Sequence, residues 1–181
     1  AHTRLRQVLQ QPFKPREIEK IRIDVIRIAN MVADEMALHA GQTVDFIEVF
    51  AKPLPARVIA KLIGVDVTMV EQMTAWSNEI AKFIFSARDT PDKYARAHVA
   101  LIEIQEFYLS VIADHRARPR DDMLSQMISF DDDGQALSDD EIVSMMILFL
   151  FAGHETTTNL IANALFALIQ NPNQMAQLQN N

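Results

Sequence analysis

Apolar positions follow a helical period along almost the whole chain. Ile18, Ile21, Val25, Ile28 and Val32 fall on one stripe, with Lys20, Arg22, Asp24, Arg27 and Asp34 placed elsewhere. This predicts a helix over 16–40 that starts after Pro12 and Pro15 and stops at Gly41. A second helix is expected over 46–63, broken or delayed by Pro53 and Pro55 and closed by Gly64. A third covers 66–86 and bears Trp76 and Phe83. Asp89-Thr90-Pro91 opens a fourth, running through Tyr94, Leu101, Ile104, Tyr108 and Ile112 to the basic end HRARPR, where cations suit the helix dipole. A short helix at 121–130 leads into the surface turn DDDGQ.

The last pattern is longer. Ser138 and Glu141 form an S-x-x-E capping box, and no stop follows until Asn171-Pro172. The expected helix, 139–170, has about 32 residues and is roughly 48 Å long. Its apolar faces are expected to pack on the helices at 16–40 and 90–118. Inside it, FLFAGHETTTNL (149–160) puts Gly153, His154, Glu155 and a run of threonines where a buried helix favours Leu and Ala. From Ile142 to Asn181, Glu155 is the only formally charged side chain.

Ala152, Thr156, Asn159 and Asn163 make a small-and-polar stripe on this helix. Gly153 costs about 1 kcal/mol relative to Ala, and the Thr156 hydroxyl can bond back to the Ala152 carbonyl. A distortion at Ala152 to Thr156 is therefore expected, suited to holding water and passing protons. The plainer alternative is a close helix crossing, with Glu155 paired to a basic residue of another helix. HETTT is not the zinc motif H-E-x-x-H, because Thr158 stands where the second His belongs.

Composition narrows the field. At 181 residues and 49% hydrophobic, the chain can bury a real core, and four glycines without two-residue alternation argue against a β-rich fold. Seventeen basic against 24 acidic residues leave a net charge of −7, which disfavours nucleic acid or an anionic membrane surface as the main partner. The most apolar run, MMILFLFA (145–152), falls well short of the roughly 20 residues of a membrane span. The chain opens at Ala1 with neither an initiator Met nor a signal peptide, so a soluble, cytoplasmic protein or a piece of one is expected. Without cysteine there is no disulfide and no thiolate to act as a nucleophile or as a ligand to haem iron.

Ala152-Gly153-His154-Glu155-Thr156-Thr157 matches the pattern of a small residue, Gly, any residue, an acid, Thr and Thr or Ser. In that stretch the chain resembles the central helix of the cytochrome P450 family, soluble bacterial type. HTRLR (2–6), PLPARVIAKLIGV (53–65), DDMLSQMI (121–128) and the segment from Leu137 to Leu165 resemble successive family segments in the family's order, so the resemblance covers essentially the whole chain. It implies an all-α fold, the helical portion of the cytochrome P450 fold with one long central helix. Residues 1–181 would form a single partial domain.

The resemblance also implies a haem b cofactor whose propionates take hydrogen bonds from His2 and Arg6 and whose face approaches Ala152 and Gly153. Glu155 and Thr156 would relay protons to dioxygen activated at the haem. Leu148 and Phe151 would face substrate, and Arg4 would sit at the surface, toward a redox partner. The implied activity inserts one oxygen atom from O2 into an apolar organic substrate, with NAD(P)H electrons arriving through a ferredoxin- or flavodoxin-type partner. The family's Cys iron ligand and its E-x-x-R helix have no counterpart here, and EKIR (19–22) stands too early to be that helix. The chain thus resembles the middle of such an enzyme, and these 181 residues alone are not expected to be active. The competing reading is an all-helical module that binds a small molecule or partner helix without redox chemistry.

Overall fold

The computed structural model describes residues 2–85, 91–132 and 135–180. Their helices are α1 (His2–Gln10), α2 (Pro15–Ala37), α3 (Pro53–Ile63), α4 (Val70–Phe85), α5 (Lys93–Ala117), α6 (Met123–Ile128), α7 (Asp139–Gln170) and α8 (Pro172–Gln179). A two-residue antiparallel ladder, β1 (Asp131–Asp132) with β2 (Gln135–Ala136), flanks the expected DDDGQ turn, whose Asp133 and Gly134 lie outside the described residues. The fold is all-α, as the periodicity predicts. Ser86, Asp89 and Thr90 also lie outside the described residues, and α5 begins at Lys93 after Asp92, whose φ is +65°.

Prolines shape the entry to α3. A π-helical turn, Ile47–Ala51, comes first, and α3 starts only at Pro53. Pro53 and Pro55 have no N–H, so the carbonyls four residues earlier, at Val49 and Ala51, lose their helical donors. Gly64 then ends α3 with φ +74°, a left-handed conformation that a side chain would strain.

The capping box starts α7 as the sequence predicts. Ser138 Oγ accepts from the Glu141 amide at 3.2 Å, and Glu141 Oε2 accepts from the Ser138 amide at 2.9 Å. Two other elements grip this first turn: Arg4 of α1 binds Glu141, and Arg116 of α5 binds Asp139 at 3.0 Å. The Ser138 amide, with Arg4 behind it, lowers the Glu141 carboxyl below its ordinary range, and Arg116 does the same to Asp139.

Two expectations need correction. First, α7 is one unbroken α-helix from Asp139 to Gln170, with no interruption between Ala152 and Thr156. The Thr156 hydroxyl does donate to the Ala152 carbonyl, at 2.6 Å, but that carbonyl accepts it without the helix breaking. Second, α7 packs on α5, as expected of the helix at 90–118, but its other neighbours include α3 and α4, while the helix at 16–40, α2, packs on α3. Ile142, Met146, Leu150, His154 and Thr158, spaced by four, form the buried stripe of α7. The core that meets it includes Ile59 and Ile63 of α3, Met73 and Trp76 of α4, and Ile104, Tyr108 and Ile112 of α5. Ile28 and Val32 of α2 are buried, whereas Ile18 at the start of the same stripe is 43% exposed. Among the described residues no helix is long and apolar enough to cross a membrane.

Candidate functional site

The middle of α7 presents two contrasting faces. Ala152, Thr156, Asn159 and Asn163, the stripe read from the sequence, are all exposed. Beside that stripe lies an apolar groove of about 630 Å³, walled by α3, by Val25 of α2, by Leu9 and Phe13, and by Leu148, Phe149, Ala152 and Gly153 of α7. Leu148 is 52% exposed and borders the groove. Phe151 turns away from it and stacks on Phe85 of α4, with ring centroids 5.7 Å apart.

Gly153 has a packing reason of its own. A Cβ at this position would stand 2.8 Å from Ile59 Cδ1 and 3.4 Å from its Cγ1, so the missing side chain lets α3 cross close to α7. The close-crossing alternative therefore accounts for Gly153, while Ala152 is left as the small residue on the open face.

Two side chains tie the start of the chain to the N-terminal half of α7: Arg4 of α1 meets Glu141, and Phe13, in the turn after α1, stacks on Phe149 at 5.8 Å. This overturns the surface role expected of Arg4. Its side chain is only 18% exposed and also donates to the Ala136 carbonyl at 3.2 Å, so it fastens α1 to α7. Arg6, two residues on, is exposed and has no ion-pair partner among the described residues. His2 opens α1. An unpaired guanidinium on α1 and an open small residue on α7 beside an apolar groove suit a flat apolar group with anionic substituents, so these residues fit haem.

Glu155 is partly exposed, with 26% of its side chain accessible, and no Lys or Arg lies within ion-pair distance among the described residues. Its one such neighbour is His154 Nδ1, at 3.8 Å from Oε1. His154 is 1% exposed, and neither ring nitrogen completes a hydrogen bond; Thr158 Oγ1, one turn further on, is likewise buried and unpartnered. Burial pushes the His154 ring below its ordinary 6.5, against opposing pulls from the Glu155 carboxylate and the main chain at Lys52. Sequence reasoning gave His154 no role, because the motif allows any residue there. A histidine four residues after Leu150 on the buried stripe was the available signal.

The sequence profile of the Cytochrome P450 family matches residues 3–181. Cytochrome P450 107B1 of Saccharopolyspora erythraea is 36% identical over 179 residues, covering 99% of this chain and 42% of its own length. The polyketide biosynthesis cytochrome P450 PksS of Bacillus subtilis is 33% identical over 178 residues, covering 98% of this chain and 42% of its own. Among solved structures, P450BioI in complex with an acyl carrier protein ligated to hexadec-9Z-enoic acid superposes with a TM-score of 0.88 at 29% identity, covering 99% of this chain and 45% of that one. CYP109E1 from Bacillus megaterium in complex with corticosterone gives 0.85 at 30% identity, covering 99% and 48%. The chain thus spans less than half the length of the relatives it matches. With a match over nearly all of its residues, this chain belongs to the cytochrome P450 family.

Proposed function

We propose that these residues are the central helical part of a haem monooxygenase, acting in the cytoplasm, that inserts one oxygen atom from O2 into an apolar organic substrate. Electrons would come from NAD(P)H through a ferredoxin- or flavodoxin-type partner. One observation carries the reading: Ala152 and Thr156 are tied by a 2.6 Å hydrogen bond on the open face of α7, beside an apolar groove and next to the carboxyl of Glu155.

Ala152 would receive the face of haem b, with Gly153 behind it keeping α3 close, and Arg6 with His2 would bind the propionates. Bound haem supplies the activation of dioxygen, with the thiolate ligand provided from outside these 181 cysteine-free residues. Thr156 donates its own proton to the Ala152 carbonyl, which leaves its oxygen lone pairs free to accept a hydrogen bond on the open face. Glu155, adjacent and partly exposed, can take a proton from solvent and pass it toward that face. Leu148, half exposed at the groove, would contact substrate; Phe151, expected to do the same, would instead meet substrate only on the side of α7 where it stacks on Phe85.

Thr156→Ala in the intact enzyme tests the proposal. Substrate binding should change little, while product formed per NAD(P)H consumed falls about tenfold and peroxide takes up the difference. Glu155→Gln should slow turnover. Unchanged coupling in Thr156→Ala together with unchanged turnover in Glu155→Gln would remove the proton-delivery role.

A further inference from the structure

His154 is the one buried ionisable side chain in the middle of α7 that the proposed chemistry does not use. Its ring has almost no contact with solvent, and its Nδ1 lies 3.8 Å from Glu155 Oε1, one small side-chain rotation from hydrogen-bond distance. An orphaned polar group at that depth is costly, which calls for a partner. The proline-interrupted entry to α3 passes nearby: the Lys52 carbonyl receives its helical hydrogen bond from the Ala56 amide at a long 3.4 Å. A neutral imidazole has one N–H and one acceptor nitrogen. With the N–H turned to the main chain at Lys52, Nδ1 becomes the acceptor and faces the carboxyl of Glu155.

We propose that His154 is a positioning residue for Glu155, its Nδ1 accepting a hydrogen bond from the Glu155 carboxyl whenever that carboxyl carries a proton. This rests on the proton-delivery reading above. An acceptor nitrogen holds a carboxylic acid and repels a carboxylate. Glu155 therefore rests against His154 when loaded and swings outward once its proton has left, to be reloaded from solvent at its exposed edge. Glu155 and Lys52 are the charged groups that act on the ring.

Two measurements on the intact enzyme test this. Nitrogen-15 NMR of His-labelled protein in its diamagnetic ferrous carbon monoxide form reads the tautomer directly. His154 should carry its hydrogen on Nε2, with Nδ1 bare, and Glu155→Leu should shift the Nδ1 signal. The opposite tautomer, or an Nδ1 signal unmoved by Glu155→Leu, overturns the proposal.

Coupling supplies the second measurement. His154→Leu should raise the peroxide share several-fold. His154→Asn, which keeps an amide group near the Nδ1 position, should recover at least half of the loss; thermal melts report whether both variants fold. Wild-type coupling in His154→Leu, or Asn no better than Leu, sinks the positioning role alone. If Thr156→Ala leaves coupling unchanged and Glu155→Gln leaves turnover unchanged, the proton-delivery reading and this inference fail together.

Discussion

Two buried histidines on different helices meet opposite surroundings. At the end of α5, His115 Nδ1 lies 2.9 Å from the Val111 carbonyl and Nε2 lies 3.1 Å from Asp122 Oδ2. Asp122 also caps α6, its Oδ1 accepting from the Ser125 amide at 2.9 Å, and Arg120 donates to the Gly64 carbonyl at 3.0 Å. Each of these groups has a partner, and together they pin the end of α3, the end of α5 and the start of α6. On α7, His154 is buried as deeply and Thr158 nearly so, and neither ring nitrogen nor the hydroxyl is satisfied. A completed network makes a rigid joint. An incomplete one next to Glu155 marks where the helix departs from what stability alone would select.

Breaking the finished joint should have the largest effect. A Cβ at Gly64 would stand 2.2 Å from Asp122 Oδ2 and 2.7 Å from His115 Nε2, at a φ of +74°. Left-handed strain of about 1–2 kcal/mol adds to the loss of a buried charged hydrogen bond, so Gly64→Ala should cost about 4 kcal/mol of unfolding free energy. Denaturant titration measures it. A loss below about 1 kcal/mol would mean that Asp122 moves aside freely and that the joint is not rigid.

Replacing each histidine by leucine sharpens the contrast. His115→Leu leaves Asp122 Oδ2 buried without its partner, while Oδ1 keeps the Ser125 amide, and should cost about 2 kcal/mol. His154→Leu leaves the Lys52 carbonyl its Ala56 donor and Glu155 its access to solvent, so it should change stability by less than about 1 kcal/mol. The pH dependence gives a further handle. With its folded pKa below 6.5, His154 resists the proton that the unfolded chain accepts. Its contribution is therefore fully present above 6.5 and is lost as pH falls from there through the folded value. Carboxylates held low, such as Glu141, begin to cost stability only below about 4.5. Between these limits His154→Leu should show a flatter stability profile than wild type. Parallel profiles would mean that the ring takes up a proton in the folded state.

Much of the fold was legible because it is local. Apolar spacing gave the helices, the S-x-x-E box gave the start of α7, and Asn171-Pro172 gave its end. The resemblance pointed to α7 as the helix carrying the site. The missed features depend on pairs distant in sequence. Arg4 finds Glu141 across 137 positions, and nothing local distinguishes it from a surface arginine. Gly64 was read as a helix stop, which it is, but not as the space that Asp122 occupies. The expected distortion at Ala152 to Thr156 failed because the propensity cost of one glycine, about 1 kcal/mol, is small against the packing of a helix held on three others.

Gly153 offers the finest test of the comparison, since it could serve the crossing or the cofactor face. Alanine would gain about 1 kcal/mol of helix propensity but would press its methyl against Ile59 Cδ1, and overpacking of this kind costs about 1–3 kcal/mol. The net loss for Gly153→Ala should be about 1 kcal/mol. Ile59→Val removes that Cδ1 atom and should itself cost about 1 kcal/mol. If the crossing is the reason for Gly153, the double variant should be more stable than the sum of the single effects by about 1 kcal/mol, because the new methyl fills the space that Ile59 vacates. The haem absorption spectrum of the intact enzyme should not change in any of the three variants. Strict additivity, together with a shifted spectrum in Gly153→Ala alone, would return Gly153 to the cofactor face and leave the close approach of α3 without its explanation.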